Sequence, residues 1–579
     1  MEIRVPLERF LASRNWVAHT LITYHCDAVF DPAVQALLDR QQTERDEVLS
    51  AIARGLDELP SIPDIRTIPG SRFKRELKPF QLRDLARMLA LSHGANFSVP
   101  GAGKTTVAYA CYEAERLRHR VERLLVVAPI SAFDAWTNEA IACMSPAPVV
   151  SRLDIRPRLR CEVLLVNYHR VAARYQQIAE WVSARPCHVI LDEAHRIKRG
   201  RTGEWGTACL DLAYLGVRRD ILTGTPAPQH PTDFIALMDF LWPHQATRIL
   251  PPGVHQATPS SDTMLQISAR LAPLFVRTRK DELGLDKPML RVERVKMKPV
   301  QAQIYDAIRT RMRTELAASA RDRVAFSEMK DVVVYLLEAA TNPALLASAI
   351  SGGVAAPTTW PPSPVPLGTA LAERVINYGR YEMPRKFEKL AAMVADNASR
   401  GRKTLVWSNF VTNLQELSAR VLLPFQPALI YGAIPTEEED ADFVTRESEL
   451  RRFRDDPACK VLLANPAAMS EGVSLHESCH DAIYLERNFN AGQYLQSLDR
   501  IHRLGLPPGV ETRITFLVSS DTIDEIVDQR VGAKAERLSQ MLRDPNLVTM
   551  ALPDEEAYGE WVDAEDLESL FAHLGRPVP

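Results

Sequence analysis

The chain has 579 residues, too many for one hydrophobic core, and domains of roughly 100–200 residues imply two to four of them. With 46% hydrophobic, 25% charged and 7% aromatic residues, its composition is that of a soluble globular protein. A formal net charge of -3 excludes a chain that is basic throughout, although a local basic groove for nucleic acid fits inside a neutral total. Arginine outnumbers lysine, and alanine and proline are plentiful, as in a GC-rich, bacterial coding sequence. The opening MEIRVPLERF lacks a basic segment followed by an apolar run, so no secretory signal is expected. No apolar run reaches the ~18 residues of a membrane span, and no membrane partner is expected. The eight cysteines lie apart without a CxxC pair, which points to reduced, buried thiols in a cytoplasmic protein. His476, Cys479 and His480 in HESCH offer three metal ligands with no fourth nearby, so packing is expected there rather than structural zinc.

In chain order, residues 1–75 mix amphipathic patterns with the proline-rich ELPSIPDIRTIPGS, read as a linker, and carry no motif with a mechanism. They form an expected N-terminal accessory region. Over 76–285, short apolar runs alternate with helical patterns, which predicts βαβ units and a parallel sheet. RLLVVAP, EVLLVNY and HVILDEAH are the β-branched runs of strands buried on both faces. Residues 286–383 combine a stretch from Pro288 to Leu345, mostly helical in pattern, with the proline-dense SGGVAAPTTWPPSPVPLG, a loop or linker. A second α/β texture fills 384–545, with strands expected at KTLVWSNF, KVLLANP, DAIYLERN and TRITFLVSS. The acidic tail, 546–579, reads as a solvated amphipathic helix or as a docking or autoinhibitory segment.

Two stretches carry chemistry. FSVPGAGKTT follows an apolar GANF and precedes a helical pattern, the setting of a phosphate-binding loop, although Ser98 stands where the usual pattern has glycine. Backbone amides and a helix N-terminus would face the phosphates, with Gly101 and Gly103 permitting the tight curl. Lys104 would hold the β and γ phosphates and the Thr105 hydroxyl would ligate Mg²⁺. The second stretch is HVILDEAHRIK, a DEAH box. A parallel strand delivers Asp192 and Glu193 at its C-terminal edge, one to hold Mg²⁺ through water and the other to deprotonate the attacking water.

These motifs and their order, from about Leu77 to about Leu542, resemble superfamily 2 helicase-fold ATPases of the switch/sucrose-nonfermenting (SWI/SNF) group of double-stranded DNA translocases. The resemblance implies two RecA-like lobes, each a parallel sheet flanked by helices, with helical protrusions between them and a small N-terminal region. LKPFQ resembles the adenine-recognising Q element, with Gln81 as the contact. With it, Pro100, Gly101, Ala102, Gly103, Lys104, Thr105, Thr106 and Gln496 make up the implied nucleotide-binding set. VVAPISAFDAWTNE resembles motif Ia, where the turn at Pro129 touches the DNA backbone. VLLVNYHRV resembles a segment usually written with threonine where Asn167 stands. LTGTPAPQHPTDFIALMDFLWP resembles motif III, so Thr223, Gly224 and Thr225 would couple nucleotide state to nucleic-acid grip. LFVRTRKDELGLDKP is similar to the basic segment that leaves lobe one, and YLLEAATNPALL to a helix usually ending in Asn-His-Pro.

In the second half, KTLVWSNF resembles motif IV, with Ser408 and Asn409 facing nucleic acid. MSEGVSLHESCHDAIYLE resembles motif V, with Gly472 and Ser474 keeping the turn although Met469, Ser470 and Glu471 depart from Ala-Gly-Gly. QYLQSLDRIHRLG resembles motif VI, and a helix there would place Arg500 and Arg503 on one face to reach the γ-phosphate. VSSDTIDEIVDQRVGAKAERL resembles the group's closing brace, with Asp521 at the glycine position. The resemblance implies Mg²⁺ with ATP and duplex DNA held non-specifically through phosphates. A protein partner would meet the N-terminal region or the tail. The leading expectation is an ATP-dependent duplex translocase, serving anti-phage defence, repair or transcription recycling. A strand-separating helicase and a scaffold with weak ATPase are the alternatives.

Overall fold

The computed structural model describes residues 23–24, 31–55, 62–153, 160–227, 230–256, 259–285, 288–318, 334–347, 365, 368–434, 445–466, 469, 475–486, 500–502, 506 and 509–530. Two parallel sheets organise them. The first has seven strands: β1 (Gly94–Asn96), β2 (Arg123–Val127), β3 (Val150–Arg152), β4 (Val163–Val166), β5 (Cys187–Asp192), β6 (Arg218–Leu222) and β7 (Phe275–Val276), in spatial order β3-β4-β2-β5-β6-β1-β7. The second has six: β8 (Met289–Val295), β9 (Thr404–Trp407), β10 (Ala428–Ile430), β11 (Val461–Ala464), β12 (Asp481–Tyr484) and β13 (Arg513–Ser519), ordered β10-β11-β9-β12-β13-β8.

The apolar runs read as strands from sequence are strands, and their side chains are buried on both faces because helices cover each sheet. Among the described residues every strand pairing within the two sheets is parallel, as crossovers through helices require, and one isolated antiparallel bridge joins Phe73 to Met144. The fold is therefore the expected pair of α/β lobes.

Two stretches differ from expectation. MLRVERV, read as part of a mostly helical stretch, is β8, and it pairs with β13 through seven residues, Met289↔Arg513 to Ser519↔Val295. Its charges fall on both faces, so the sequence shows no period of two; the partner strand supplies the order. The helix Pro299–Ala318 and the helix over 334–341 bury Ile304, Tyr305, Ile308, Leu336 and Ala340 in one cluster with Leu405, Trp407 and Phe516 of the second sheet. These helices are thus a layer of the second lobe.

The accessory stretch also packs. The helix Pro32–Arg54 places Val48 and Ala51 in the core of the first lobe, with Leu125, Val189 and Ile221. Its Glu44 meets a buried ionic group on β6, whose RRDIL sequence puts three charges inside the protein. Arg219 donates through Nη2 to Glu44 at 2.5 Å, through Nε to the Leu241 carbonyl and through Nη1 to that of Ala213, both at 2.9 Å. Next to it, Asp220 accepts from Arg218 at 3.1 Å and from the Gly94 amide at 2.8 Å, and lies 2.8 Å from His188 Nε2. Charges this deep persist only when paired and hydrogen-bonded.

Burial raises the Glu44 carboxyl, yet Arg219, His93 and Arg40 together bring it down to about 2. Burial, reinforced by the Arg219 charge, lowers His93 to about 3, so its ring is neutral at pH 7. Both folded values lie below the unfolded ones. The stability they confer is complete above about pH 6.5 and is lost as pH falls, first through His93 and then through Glu44. The urea midpoint should therefore drop between pH 7 and pH 5 in the wild type, and drop less in a His93→Gln variant. Arg219→Leu strands Glu44 as an unpaired buried carboxylate and should cost about 3–5 kcal/mol at pH 7. A loss below about 1 kcal/mol would show that this pair does not hold the helix.

Candidate nucleotide site between two sheet edges

Register decides where the chemistry collects. Asn96 of β1 pairs with Leu222 of β6, and Leu222 pairs with Asp192 of β5. Three adjacent parallel strands thus end abreast, and the loops at 97–103, 193–195 and 223–226 leave one edge. That edge is where ligands bind in open α/β sheets.

The first loop curls through Gly101 at φ +86° and Gly103 at φ +78° into the helix Lys104–Leu117. The positive φ demands glycine at 103, where an added Cβ would also lie 2.3 Å from Gln81 Nε2, the end of a side chain able to turn aside. Gln81 comes to this loop as expected, but from behind. Its Nε2 donates to the Ala102 carbonyl at 3.2 Å and its Oε1 accepts from the Lys78 amide at 3.0 Å. Each amide atom keeps a further position, one N–H and one lone pair, that these bonds do not use and that suits an adenine edge. Lys104 Nζ donates to the Ser98 carbonyl at 2.9 Å, holding its charge over the loop. Pro100 packs under motif III, 3.1 Å from where a Gly224 Cβ would stand. Thr105 is half-buried at the helix start. Thr106 is buried instead, its hydroxyl bonded to Glu139, so it faces the lobe interior and not the loop's cradle.

Ser98 does more than stay small. It is fully buried; its hydroxyl donates to Asp84 Oδ2 at 3.0 Å and accepts from the Thr278 amide at 2.9 Å. Thr278 Oγ1 donates to the same carboxylate oxygen at 2.8 Å, and Arg277 Nη1 donates to the carbonyls of Phe97 at 2.5 Å and Gly224 at 3.1 Å. The segment leaving lobe one is therefore tied to two of the three loops. Burial raises the Asp84 carboxyl against these donors.

Asp192 ends β5 with both carboxylate oxygens engaged: Oδ1 accepts from the Glu193 amide at 3.0 Å and Oδ2 from Trp136 Nε1 at 2.8 Å. Glu193 adopts φ +53°, a left-handed conformation that costs a residue with a Cβ about 1–3 kcal/mol. The strain falls on the residue expected to act on water. His195 is buried and its pKa lies well below the ordinary value, first through burial and then through the charges of Arg196, Lys198 and Lys104. This neutral ring places Nδ1 3.0 Å from Thr223 Oγ1, and that hydroxyl accepts from the Thr225 amide at 3.2 Å. Thr223 is fully buried, so it links motifs II and III from inside and touches no nucleic acid. Pro129 closes β2 and precedes a short turn on which Ile130 is 65% exposed.

In the second lobe, Ser408 and Asn409 follow β9. Ser408 is buried, its hydroxyl donating to Glu486 Oε1 at 2.7 Å, and the Asn409 amide reaches the same oxygen at 2.5 Å. Ser408 therefore holds the loop and does not face nucleic acid. Burial pushes the Glu486 carboxyl up to about 7, against the pull of Ser408 and Lys386. Arg500 is buried, and residues 500–502 form a turn in which the Arg500 carbonyl accepts from the Leu475 amide at 2.8 Å. These three residues are not helical, and the rest of the helix expected there lies outside the described residues. Lys280 Nζ lies 3.4 Å from His502 Nδ1, joining the segment from lobe one to this turn. Gly472, Ser474, Gln496 and Arg503 lie outside the described residues. Cys479 is buried, bonded to the carbonyls of Lys403 and Asp481 at 3.4 Å.

Two domain families match this sequence: the SNF2-related domain over residues 97–343 and the helicase conserved C-terminal domain over residues 385–505, together more than half of the chain. The chain belongs to the SNF2-related helicase-fold ATPases. Similar proteins include the chromatin structure-remodeling complex subunit snf21 of Schizosaccharomyces pombe, 22% identical over 83% of this chain and 40% of that protein. Another is the nuclear protein STH1/NPS1 of Saccharomyces cerevisiae, 23% identical over 87% and 37% respectively. A probable global transactivator of Orgyia pseudotsugata multicapsid polyhedrosis virus is 24% identical over 66% and 74%. This chain thus spans less than half the length of snf21 and of STH1/NPS1. Among solved structures, the Sulfolobus solfataricus SWI2/SNF2 ATPase core in complex with dsDNA is 18% identical, covering 83% of this chain and 95% of that one at a TM-score of 0.35.

Within the SNF2-related domain, no motif signalled the work done by Trp136, Arg277 and Thr278, and in the helicase C-terminal domain none signalled that done by Glu486. Each acts through a bond to a distant residue, which no local pattern announces. Thr105 and Asp192 bring hydroxyl and carboxylate oxygens to one edge, the hard donor set that suits Mg²⁺. If position 98 needs only a small side chain, Ser98→Ala should be neutral. The bonds to Asp84 and Thr278 instead predict a loss of about 1–3 kcal/mol in denaturant unfolding.

Proposed function

We propose that this SNF2-related ATPase is a double-stranded DNA translocase that converts ATP hydrolysis into movement along the duplex without separating its strands. The observation that carries the reading is the bridge from Asp192–Glu193, through His195, to Thr223 at one sheet edge. It joins the residues suited to hydrolysis to the TGTP loop that the SWI/SNF resemblance assigns to nucleic-acid coupling.

In this reading Lys104 and the amides around Gly101 and Gly103 bind the phosphates, and Gln81 contacts the adenine. Thr105 and Asp192 would hold Mg²⁺, which would supply charge neutralisation on the phosphates. Glu193, already forced into a strained backbone beside the edge, orients and deprotonates the attacking water. Arg500 and Arg503 come from the opposite lobe, so hydrolysis demands closure, and closure moves one lobe relative to the other along bound DNA. Duplex recognition would rest on phosphates, which makes it independent of sequence and steeply dependent on salt. The chromatin-remodelling relatives support a duplex substrate for the shared core. Displacement of bound proteins is the matching physical outcome.

Duplex DNA should raise ATP turnover, and Glu193→Gln should lower it by about 10²–10⁴-fold while leaving nucleotide binding intact. The wild type should displace a third strand from a triplex and leave a forked duplex paired. Robust unwinding of the fork would establish a helicase instead, and absence of duplex-stimulated turnover would establish a scaffold.

A further inference from the structure

The helix Phe133–Cys143 begins where the turn at Pro129–Ala132 ends. Its residue Trp136 is fully buried, and its indole N–H is the donor that fixes Asp192 Oδ2 at 2.8 Å. On the other side the indole meets Tyr109 of the helix that follows the phosphate loop, edge to face, with ring centroids 5.3 Å apart. Tyr109 also donates its hydroxyl to the Trp136 carbonyl at 2.9 Å. One turn further on, Glu139 bonds the Thr106 hydroxyl, two residues beyond Lys104. One short helix thus grips the phosphate-loop helix at two levels and the Asp192 carboxylate at a third.

Close-packed side chains transmit displacement because they have no void to move into. A shift of the 129–132 turn therefore shifts Trp136, and Trp136 donates the bond that holds Asp192 Oδ2. We propose that Trp136 is a positioning residue through which a duplex on the 129–132 turn adjusts the carboxylate of Asp192 toward Mg²⁺. The proposal rests on the motif Ia resemblance for the role of that turn and on the proposed function for that of Asp192, and adds the physical link between them. It would let duplex raise turnover without any contact between DNA and the nucleotide.

The test removes the N–H and keeps the packing. Trp136→Phe deletes the donor, and replacement of Trp136 by 3-benzothienylalanine deletes it while preserving the bicyclic shape. Trp242→Phe serves as control. Trp242 is equally buried in the same lobe, and its Nε1 has no hydrogen-bond partner among the described residues. The readout is binding of a fluorescent ADP analogue titrated with Mg²⁺, with and without duplex, in the full chain. In the wild type and the control, duplex should lower the half-saturating Mg²⁺ concentration. In both Trp136 variants that concentration should rise about tenfold, the scale of losses when an outer partner of a metal ligand is removed, and duplex should no longer lower it. Should Trp136→Phe fail to fold, the benzothienyl variant decides. Trp136 variants that match the control, in a wild type whose turnover duplex stimulates, would overturn this link alone. A wild type whose turnover duplex leaves unchanged would overturn the functional reading beneath it.

Discussion

The parallel register of β1, β6 and β5 is the constraint on which the site depends. Because Asn96, Leu222 and Asp192 lie side by side across three strands, the loops that follow them must share one edge. A slip of one residue in any of these pairings would turn its side chains to the opposite face. It would also carry Asp192 away from Trp136 and His195 away from Thr223. The bonds that distinguish this edge from an ordinary strand end are thus consequences of backbone pairing between segments far apart in sequence.

Buried polar groups hold that register in place. Asp220 takes the Gly94 amide at the start of β1, together with His188 of β5 and Arg218 of its own strand, so one carboxylate pins three neighbouring strands. Arg219 points the other way and secures the N-terminal helix. Near the opposite ends of these strands, Asp84 gathers Ser98 and Thr278. Such groups are costly to bury and costlier to leave unpaired, which makes the arrangement specific as well as stable. The same logic operates in the second lobe, where Glu486 holds the 408–409 loop and Lys386 bonds the Leu485 carbonyl and pairs with Asp524 at 2.6 Å.

Much of this was legible beforehand. Most buried strands announced themselves because strands covered on both faces are as a rule apolar runs, as in RLLVV, VLLV and VLLA, whereas RRDIL of β6 carries its charges inside. The phosphate loop and DEAH were legible because their chemistry needs particular residues at fixed local spacing. β8 was not, since its charged sequence has no face to bury and its order comes from β13. Ser408 was expected to face nucleic acid and Thr223 to couple it to the nucleotide, and both are interior links. Their hydroxyls look the same in sequence whether they face DNA or a buried partner.

The sequence by itself determined two α/β lobes, the position of the phosphate loop and its acidic partner, and the family to which they belong. Those properties follow from local periodicity and from motifs whose residues are neighbours along the chain. Only the tertiary structure decided that Ser98 is a polar hinge between Asp84 and Thr278, that the N-terminal helix belongs to the first lobe, and that Trp136 orients Asp192. Each of those depends on a partner between 14 and 180 residues away. Such partners meet only when the sheet has formed, because a hydrogen bond is set by distance and direction in space and leaves no spacing rule in the chain.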